Sequence, residues 1–163
     1  MIAAVLLAAT LMQLHSGDFV PGGAMPSELM AAQCGGENRS PALAWSGAPQ
    51  ATKSFALIVR DADAPVAGGF YHWVLYDIPA GTQELDGNAR LPSSEIGLAT
   101  TGKAAYYGPC PPPGPAHHYT FTLYALDVEH VGRAAPLDAA DLLARIAGHV
   151  LAKATLSATA SST

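Results

Sequence analysis

The sequence has few charged residues and no run of basic ones. Only 13% of its 163 residues are charged, and eight Lys plus Arg stand against thirteen Asp plus Glu, a formal net charge of −5. A chain with this composition is typical neither of intrinsic disorder nor of a solvated coiled coil. Because the net charge would repel a phosphate backbone, the composition excludes nucleic acid as an expected partner.

Long apolar runs are also missing. The longest, residues 1–12, falls well short of the roughly 20 residues that a membrane-spanning helix needs, so no transmembrane segment is expected. Its small residues are typical of a signal-peptide core, although no Lys or Arg precedes it and Ala8-Ala9-Thr10 matches a cleavage site poorly. Residues 1–11 are therefore expected to be an export signal or an N-terminal extension, and both a cytoplasmic and a periplasmic or secreted location stay open.

Cysteine is scarce, with only Cys34 and Cys110 in the chain. The spacings typical of zinc sites, C-x-x-C and H-E-x-x-H, are absent, as is the G-x-S-x-G turn of many serine hydrolases. No metal site and no cofactor is predicted. Each cysteine lies beside Gly or Pro, and the sequence leaves open whether the two thiols are free or form a disulfide.

Glycine and proline are abundant, with sixteen and thirteen residues, which predicts many turns and few long helices. The length fits a single domain, residues 12–163, after the N-terminal extension. Apolar and β-branched runs predict strands at 42–46, 55–60, 72–78, 119–126 and 150–156, with 119–126 near the sheet centre. The fold class predicted is mainly β, a Greek-key β-sandwich with a small peripheral C-terminal helix.

That helix is predicted at 139–147, where an apolar stripe recurs at helical spacing; the stripe consists of Leu142, Leu143, Ile146 and Val150. Asp138 is placed to cap the first turn, because an Asp side chain accepts hydrogen bonds from the unpaired N–H groups there. Gly148 is placed to end the helix in a left-handed conformation.

Two clusters of polar residues adjoin predicted strands. Asp61 and Asp63 directly follow the strand 55–60, where they could accept hydrogen bonds from a ligand, form part of a calcium loop or form an Asx turn. The bare pattern favours the turn. His72 begins the next apolar strand, and a histidine in that setting is more often a core residue than a ligand-binding one.

A third cluster contains five prolines among residues 109–115, which makes the segment stiff and removes backbone donors. The remaining N–H groups of Gly108, Cys110 and Gly114 are candidates for an anion-binding nest, with His117 supplying a switchable charge. The alternative is a rigid connector that carries the chain over a sheet edge.

Three strings together resemble one family closely: DADAP at 61–65, HWVLYDIP at 72–79 and GPCPPPGPAHHYTFTLYALD at 108–127. They resemble the bacterial branch of the phosphatidylethanolamine-binding protein family, which includes the Raf kinase inhibitor proteins and plant flowering regulators. The similarity runs from about residue 12 to residue 156. It implies a Greek-key β-sandwich with a small pocket that takes phosphate or a phospholipid head group.

The resemblance also implies a set of ligand-binding residues and no catalytic one. These are Asp61, Asp63, Pro65, His72, Gly108, Cys110, Pro111, His117 and Tyr119. His118 stands where the family usually has Arg, which removes a fixed charge.

The expected function is a small-anion or head-group binding module that regulates a partner protein in the manner of a kinase inhibitor. The alternative is an enzyme that uses the Asp/His pocket for general acid–base chemistry. A protein client and a homodimer stay open as partners. Because an anion beside carboxylates requires a protonated imidazole, and a neighbouring carboxylate raises the pKa of histidine, binding is expected to strengthen as pH falls.

Overall fold

Antiparallel strands dominate the computed structural model, which describes residues 11–92, 95–132 and 135–162. The predicted extension, residues 1–11, lies outside these ranges except for Leu11. In chain order the strands and the helix are β1 (Gln13–Ser16), β2 (Leu43–Ser46), β3 (Ser54–Asp61), β4 (Phe70–Pro79), β5 (Glu84–Leu85), β6 (His117–Leu126), α1 (Ala139–Ile146) and β7 (Val150–Ala160). Short 3₁₀ turns occupy Ser27–Leu29 and Ala32–Cys34. Among the described residues, no helix has the length and apolar character that a bilayer span requires.

The strands form two sheets, one with order β1-β2-β5 and one with order β4-β3-β6-β7. β6 lies between β3 and β7, which confirms its predicted central position. The chain leaves the larger sheet after β4, forms β5 in the smaller sheet and returns as β6 on the far side of β3. This crossover is the connection expected of a Greek-key sandwich, so the predicted fold class is confirmed.

Apolar side chains pack on both faces of β3. Phe55, Leu57 and Val59 point into the main core between the two sheets, whereas Ala56 and Ile58 point to the outer face. A second cluster covers that outer face, where Leu142 and Ile146 of α1 pack over the sheet. Alternation along the strand therefore places every odd position of β3 between the sheets, up to its last residue.

The helix is the predicted one, but its apolar stripe is narrower. Asp138 caps it by accepting a hydrogen bond from the backbone N–H of Asp141 at 2.8 Å, and Gly148 follows with a φ of 84°. Leu142 and Ile146 are buried, whereas Leu143 is 37% exposed and Val150 is 41% exposed. The predicted stripe is therefore wrong for Leu143, which lies on the exposed side of α1, and for Val150, because α1 ends at Ile146 and Val150 already belongs to β7.

One predicted strand is extended by more than two residues at one end, and two further strands were not predicted. β7 continues to Ala160 instead of ending at 156, because Ala158 and Ala160 extend the buried alternation that begins at Ala154. β1 and β5 were not predicted. They contain only four and two residues, and both depend on pairing with β2.

Candidate functional site

Three strand ends meet at one end of the larger sheet. Asp61, the last residue of β3, pairs with Phe70 at the start of β4 and with Tyr119 near the start of β6. Asp61 is the last of the odd-numbered residues of β3, whose side chains face the core. The same inward face of β6 carries Tyr119, and His117 two residues earlier. Antiparallel register thus brings one carboxylate and several ring side chains to the mouth of the space between the sheets.

A cavity of about 190 Å³ opens there. Seven of the nine residues predicted for ligand binding line it: Asp61, Pro65, His72, Cys110, Pro111, His117 and Tyr119. The others that line it are Ala64, Val66, Phe70, Tyr107 and Pro112. The cavity is smaller than the roughly 300 Å³ at which pockets for drug-sized ligands begin, so it suits a head group or a small ion.

The carboxylate of Asp61 is held from both sides. Oδ1 accepts hydrogen bonds from the backbone N–H groups of Asp63 at 2.9 Å and Ala64 at 3.2 Å. This is the Asx turn that the sequence pattern favoured. Oδ2 lies 2.7 Å from Nδ1 of His117, and the Asp61 side chain is only 4% exposed. Three N–H donors suit the ionised, acceptor-only form of the carboxylate.

Nδ1 of His72 lies 2.6 Å from the carbonyl oxygen of Tyr107. Because a carbonyl only accepts, Nδ1 carries a proton and donates it. Burial lowers the pKa of His72 below its ordinary value, and the Tyr107 carbonyl and the charge of Asp61 offset this only in part. The carboxylate of Asp61 does raise the pKa of His72, as expected, but desolvation of the imidazolium is the larger effect, so the net shift is downward.

The free nitrogen of each pocket histidine is Nε2. His117 donates from Nδ1 to Asp61, as His72 does to Tyr107, and within the described ranges no hydrogen-bond partner reaches either Nε2 atom. In that same part of the chain, Trp45 Nε1 is the one buried side-chain nitrogen or oxygen cut off from both a partner and solvent. Within this part of the chain, neither Nε2 atom of His72 or His117 has a hydrogen-bond partner, and neither is among the atoms cut off from solvent. Each is therefore in contact with the cavity that both rings line.

Aromatic rings that the sequence prediction missed complete the wall. The ring centroid of Phe70 lies 4.6 Å from that of His72 and 5.7 Å from that of Tyr107. Tyr119 meets His72 edge-on at 5.1 Å. Phe70 and His72 are two residues apart on one strand and so share a face, which was a usable signal for Phe70. Burial, followed by the charge of Asp61, raises the pKa of Tyr119, so its phenol is neutral.

The proline-rich wall is fastened to the segment around the two 3₁₀ turns. Cys34 and Cys110 form a disulfide with Cα atoms 5.6 Å apart, which resolves the alternative that the sequence left open. Beside it, the side-chain amide of Gln33 donates to the Tyr107 hydroxyl. The backbone N–H of Ala31 donates to the carbonyl of Pro109 at 2.9 Å. The wall is thus fixed by covalent and hydrogen bonds together.

Gly108 supports this wall from outside the cavity. Its N–H donates to Oδ1 of Asn38 at 2.7 Å, so the predicted role of that N–H in an anion-binding nest is wrong. A Cβ on Gly108 would lie 2.6 Å from the backbone N of Ala31. Glycine is required here because two backbone segments pass this closely. Gly114, another predicted member of the nest, is exposed and does not line the cavity.

Asp63 also lies outside the cavity, although its sequence neighbour Asp61 lines it. Oδ2 of Asp63 accepts hydrogen bonds from the backbone N–H of His118 at 2.8 Å and from Nδ1 of His118 at 2.7 Å. This contact lowers the pKa of Asp63 below its ordinary value. His118 therefore has a partner, and the pair ties the loop after β3 to the start of β6.

In the described ranges, no group of three or more His, Cys, Asp or Glu side chains has an arrangement that would hold a metal ion. What the cavity offers instead is two oriented imidazoles, one buried carboxylate, a neutral phenol and apolar walls. Such a set can bind a small charged group, with the protonation of the imidazoles deciding whether Nε2 donates or accepts.

Comparisons with known proteins agree with this arrangement. The sequence profile described as phosphatidylethanolamine-binding protein matches residues 15–161. A UPF0098 protein of Aquifex aeolicus is 38% identical over 88% of this chain and 85% of its own length. A UPF0098 protein of Methanothermobacter thermautotrophicus is 41% identical over 89% of this chain and 95% of its own. The crystal structure of Escherichia coli YbcL, described as a new member of the mammalian PEBP family, superposes with a TM-score of 0.87 at 30% identity, covering 94% of this chain and all of YbcL.

Proposed function

This chain belongs to the phosphatidylethanolamine-binding protein family, and we propose that it binds a small anionic group, phosphate or a phospholipid head group, in the cavity beside Asp61. One observation carries the proposal. His72 and His117 each have Nδ1 fixed by an acceptor and Nε2 in contact with the same cavity. When the rings are protonated, both Nε2–H groups donate to one anion, and charge-assisted hydrogen bonds of this kind are the strong ones.

The surroundings of the cavity suit such a ligand. Pro65, Pro111 and Phe70 form an apolar collar, which lowers the local dielectric and strengthens the contact between an imidazolium and an anion. The negative charge of Asp61 is directed toward His117 and two backbone N–H groups. Both oxygens of the Asp61 carboxylate are therefore already paired with N–H groups when an anion enters the cavity.

The alternative, an enzyme, would place Asp61 and His117 as a general acid–base pair. Nucleophilic catalysis would also need an activated hydroxyl, thiol or amine near that pair. Among the described residues that line the cavity there is no Ser, Thr or Lys, and the one cysteine, Cys110, is bonded to Cys34. These features favour a binding module, whose occupied and empty states would be recognised by a protein client.

Calorimetric titration with inorganic phosphate tests the proposal. At about pH 5.5, where a bound anion favours the imidazolium form of the rings that contact it, we expect His72→Gln and His117→Gln each to weaken phosphate binding by about ten-fold or more, as the loss of a hydrogen bond to a charged group predicts. The matched control is His149→Gln, because His149 contacts Asp127 at the opposite end of β6. Equal phosphate affinity in wild type and both pocket variants would overturn the proposal.

A further inference from the structure

The two cysteines of the chain lie where two cavities meet. Cys110 lines the cavity beside Asp61 and also a groove of about 710 Å³ on the other side of the proline-rich wall. Cys34 lines the groove but not the cavity. Both cysteines are half-buried. The disulfide is therefore accessible from the groove, and only one of its two cysteines adjoins the imidazoles.

We propose that Cys34 and Cys110 are a redox-active pair that reduces hydrogen peroxide, with Cys110 as the attacking thiol and Cys34 as the thiol that resolves the intermediate. The disulfide in the structure is then the oxidised state of a cycle whose reductant is a dithiol. This activity goes beyond the proposed function and does not depend on the binding of an anion.

His117 is placed to activate the thiol of reduced Cys110. Its Nδ1 donates to Asp61, and its Nε2 contacts the cavity that Cys110 also lines. Because that cavity measures only about 190 Å³, the two side chains lie near one another. A nucleophile, a base and a third group that orients the base form the arrangement that activates thiols. Nε2 accepts the proton of Cys110, and the resulting imidazolium stabilises the thiolate, which is the nucleophilic form.

The oxidative half of the cycle has two steps. The Cys110 thiolate attacks one oxygen of the peroxide, so an S–O bond forms and the O–O bond breaks. The leaving hydroxide takes the proton from Nε2 of His117 and departs as water, which leaves Cys110 as a sulfenic acid. The Cys34 thiol then attacks the Cys110 sulfur, and the sulfenic hydroxyl leaves with the Cys34 proton as a second water. One peroxide and two thiols thus give one disulfide and two waters.

Contacts that contain no sulfur hold the two cysteines next to each other. The backbone N–H of Ala31 donates to the carbonyl of Pro109 at 2.9 Å, on the residue before Cys110. The N–H of Gly108 donates to Oδ1 of Asn38 at 2.7 Å. Because neither hydrogen bond requires the disulfide, the resolving thiol stays within reach of the attacking one after reduction.

The reductive half of the cycle begins in the groove. A dithiol thiolate attacks Sγ of Cys34, and Cys110 leaves as a thiolate. Thiols of low pKa leave faster, and the imidazoles beside Cys110 favour its thiolate. The second thiol of the dithiol then attacks the mixed disulfide and releases Cys34. The products are two protein thiols and one oxidised dithiol.

Peroxide kinetics of the full chain test the proposal. The protein is reduced with a dithiol, freed of it under anaerobic conditions and mixed with hydrogen peroxide at about pH 7, where a free thiol is only a few per cent thiolate. We expect it to lose two thiols per peroxide and to react about ten-fold or more faster than free cysteine under the same conditions.

Two variants lose the same disulfide and therefore control for each other. Cys34→Ser should keep the fast reaction but stop at a sulfenic acid on Cys110, which dimedone traps. Cys110→Ser should react no faster than free cysteine. His117→Gln should slow the reaction by about ten-fold or more, because it removes the base. His149→Gln should not, since His149 contacts Asp127 at the opposite end of β6.

Each alternative result overturns a named part of the proposal. If Cys34→Ser and Cys110→Ser both react at the rate of free cysteine, the disulfide is a structural cross-link and the pair has no peroxide-reducing activity. Fast reaction at Cys34 instead of Cys110 would reverse the assigned roles. An unchanged rate in His117→Gln would exclude this imidazole as the base. Phosphate calorimetry of the oxidised protein tests the proposed function independently of these results.

Discussion

The carboxylate of Asp61, the last residue of β3, contacts Nδ1 of His117, the first residue of β6, at 2.7 Å. Backbone register makes this contact possible, because Asp61 pairs with Tyr119 and the side chain of His117 therefore lies just beyond the end of β3. A one-residue slip between β3 and β6 would move the side chains of one strand to the opposite face. The candidate site thus depends on the same register that pairs the core residues Leu57 and Leu123.

The disulfide is expected to contribute stability mainly by restricting the unfolded chain. Cys34 and Cys110 are separated by 76 residues, and a loop of that length corresponds to about 4 to 5 kcal/mol in the chain-entropy description. The double variant Cys34→Ser, Cys110→Ser should therefore unfold at a lower urea concentration than the oxidised protein. We expect it to keep its fold, because backbone hydrogen bonds such as that from Ala31 to Pro109 still hold the wall.

A dithiol reductant is the control for this comparison. It should lower the urea midpoint of the wild type toward that of the double variant and leave the variant unchanged. If the oxidised wild type and the double variant share one midpoint, the disulfide makes no net contribution to stability.

Gly108→Ala should both destabilise the protein and weaken phosphate binding. The added Cβ would lie 2.6 Å from the backbone N of Ala31, so the wall segment must shift. Overpacking of this kind typically costs about 1 to 3 kcal/mol, and Cys110 and Pro111, which line the cavity, would move with the wall. Urea unfolding and phosphate calorimetry measure the two effects.

Gly81→Ala serves as the comparison, because a Cβ there meets no atom within 4 Å. It should leave phosphate affinity unchanged and stability nearly so. If Gly108→Ala behaves like Gly81→Ala in both measurements, the close approach does not constrain the wall.

Local patterns were enough to predict the long strands and the helix cap. The run from Phe55 to Val59 is continuously apolar because α1 and the smaller sheet cover both faces of β3. The cap at Asp138 depends only on residues within one turn. In contrast, the pairs of β1 and β5 with β2 join segments that are distant in sequence, and strands this short carry no periodic signal.

The motifs predicted where in the sequence the site residues lie, but not which of two neighbouring residues lines the cavity. Asp61 and Asp63 look equivalent in the sequence, yet the strand ends at Asp61, and the turn after it directs Asp63 toward His118. Tyr107 looks like an ordinary neighbour of Gly108, and its position over His72 follows from long-range contacts with Gln33. Similarly, burial decides the direction of the His72 pKa shift, and burial is a property of the assembled fold.

The stability of the protein should decrease in acid partly through His72. Its pKa in the folded protein is lowered by burial, whereas in the unfolded chain it is near the ordinary value of about 6.5. Between those two values the unfolded state binds the proton more readily, so the free energy of unfolding falls as pH falls through that window. Above about pH 6.5 the His72 imidazole is neutral in both the folded and the unfolded state, and its contribution to stability is fully present.

Urea unfolding of wild type and His72→Gln from about pH 5 to about pH 8 should show that their difference in stability narrows toward acid. At one fixed phosphate concentration, the wild type should regain more stability than His72→Gln, because the anion stabilises the protonated folded state to which it binds more tightly. Parallel pH profiles for the two proteins would show that the buried imidazole does not resist protonation.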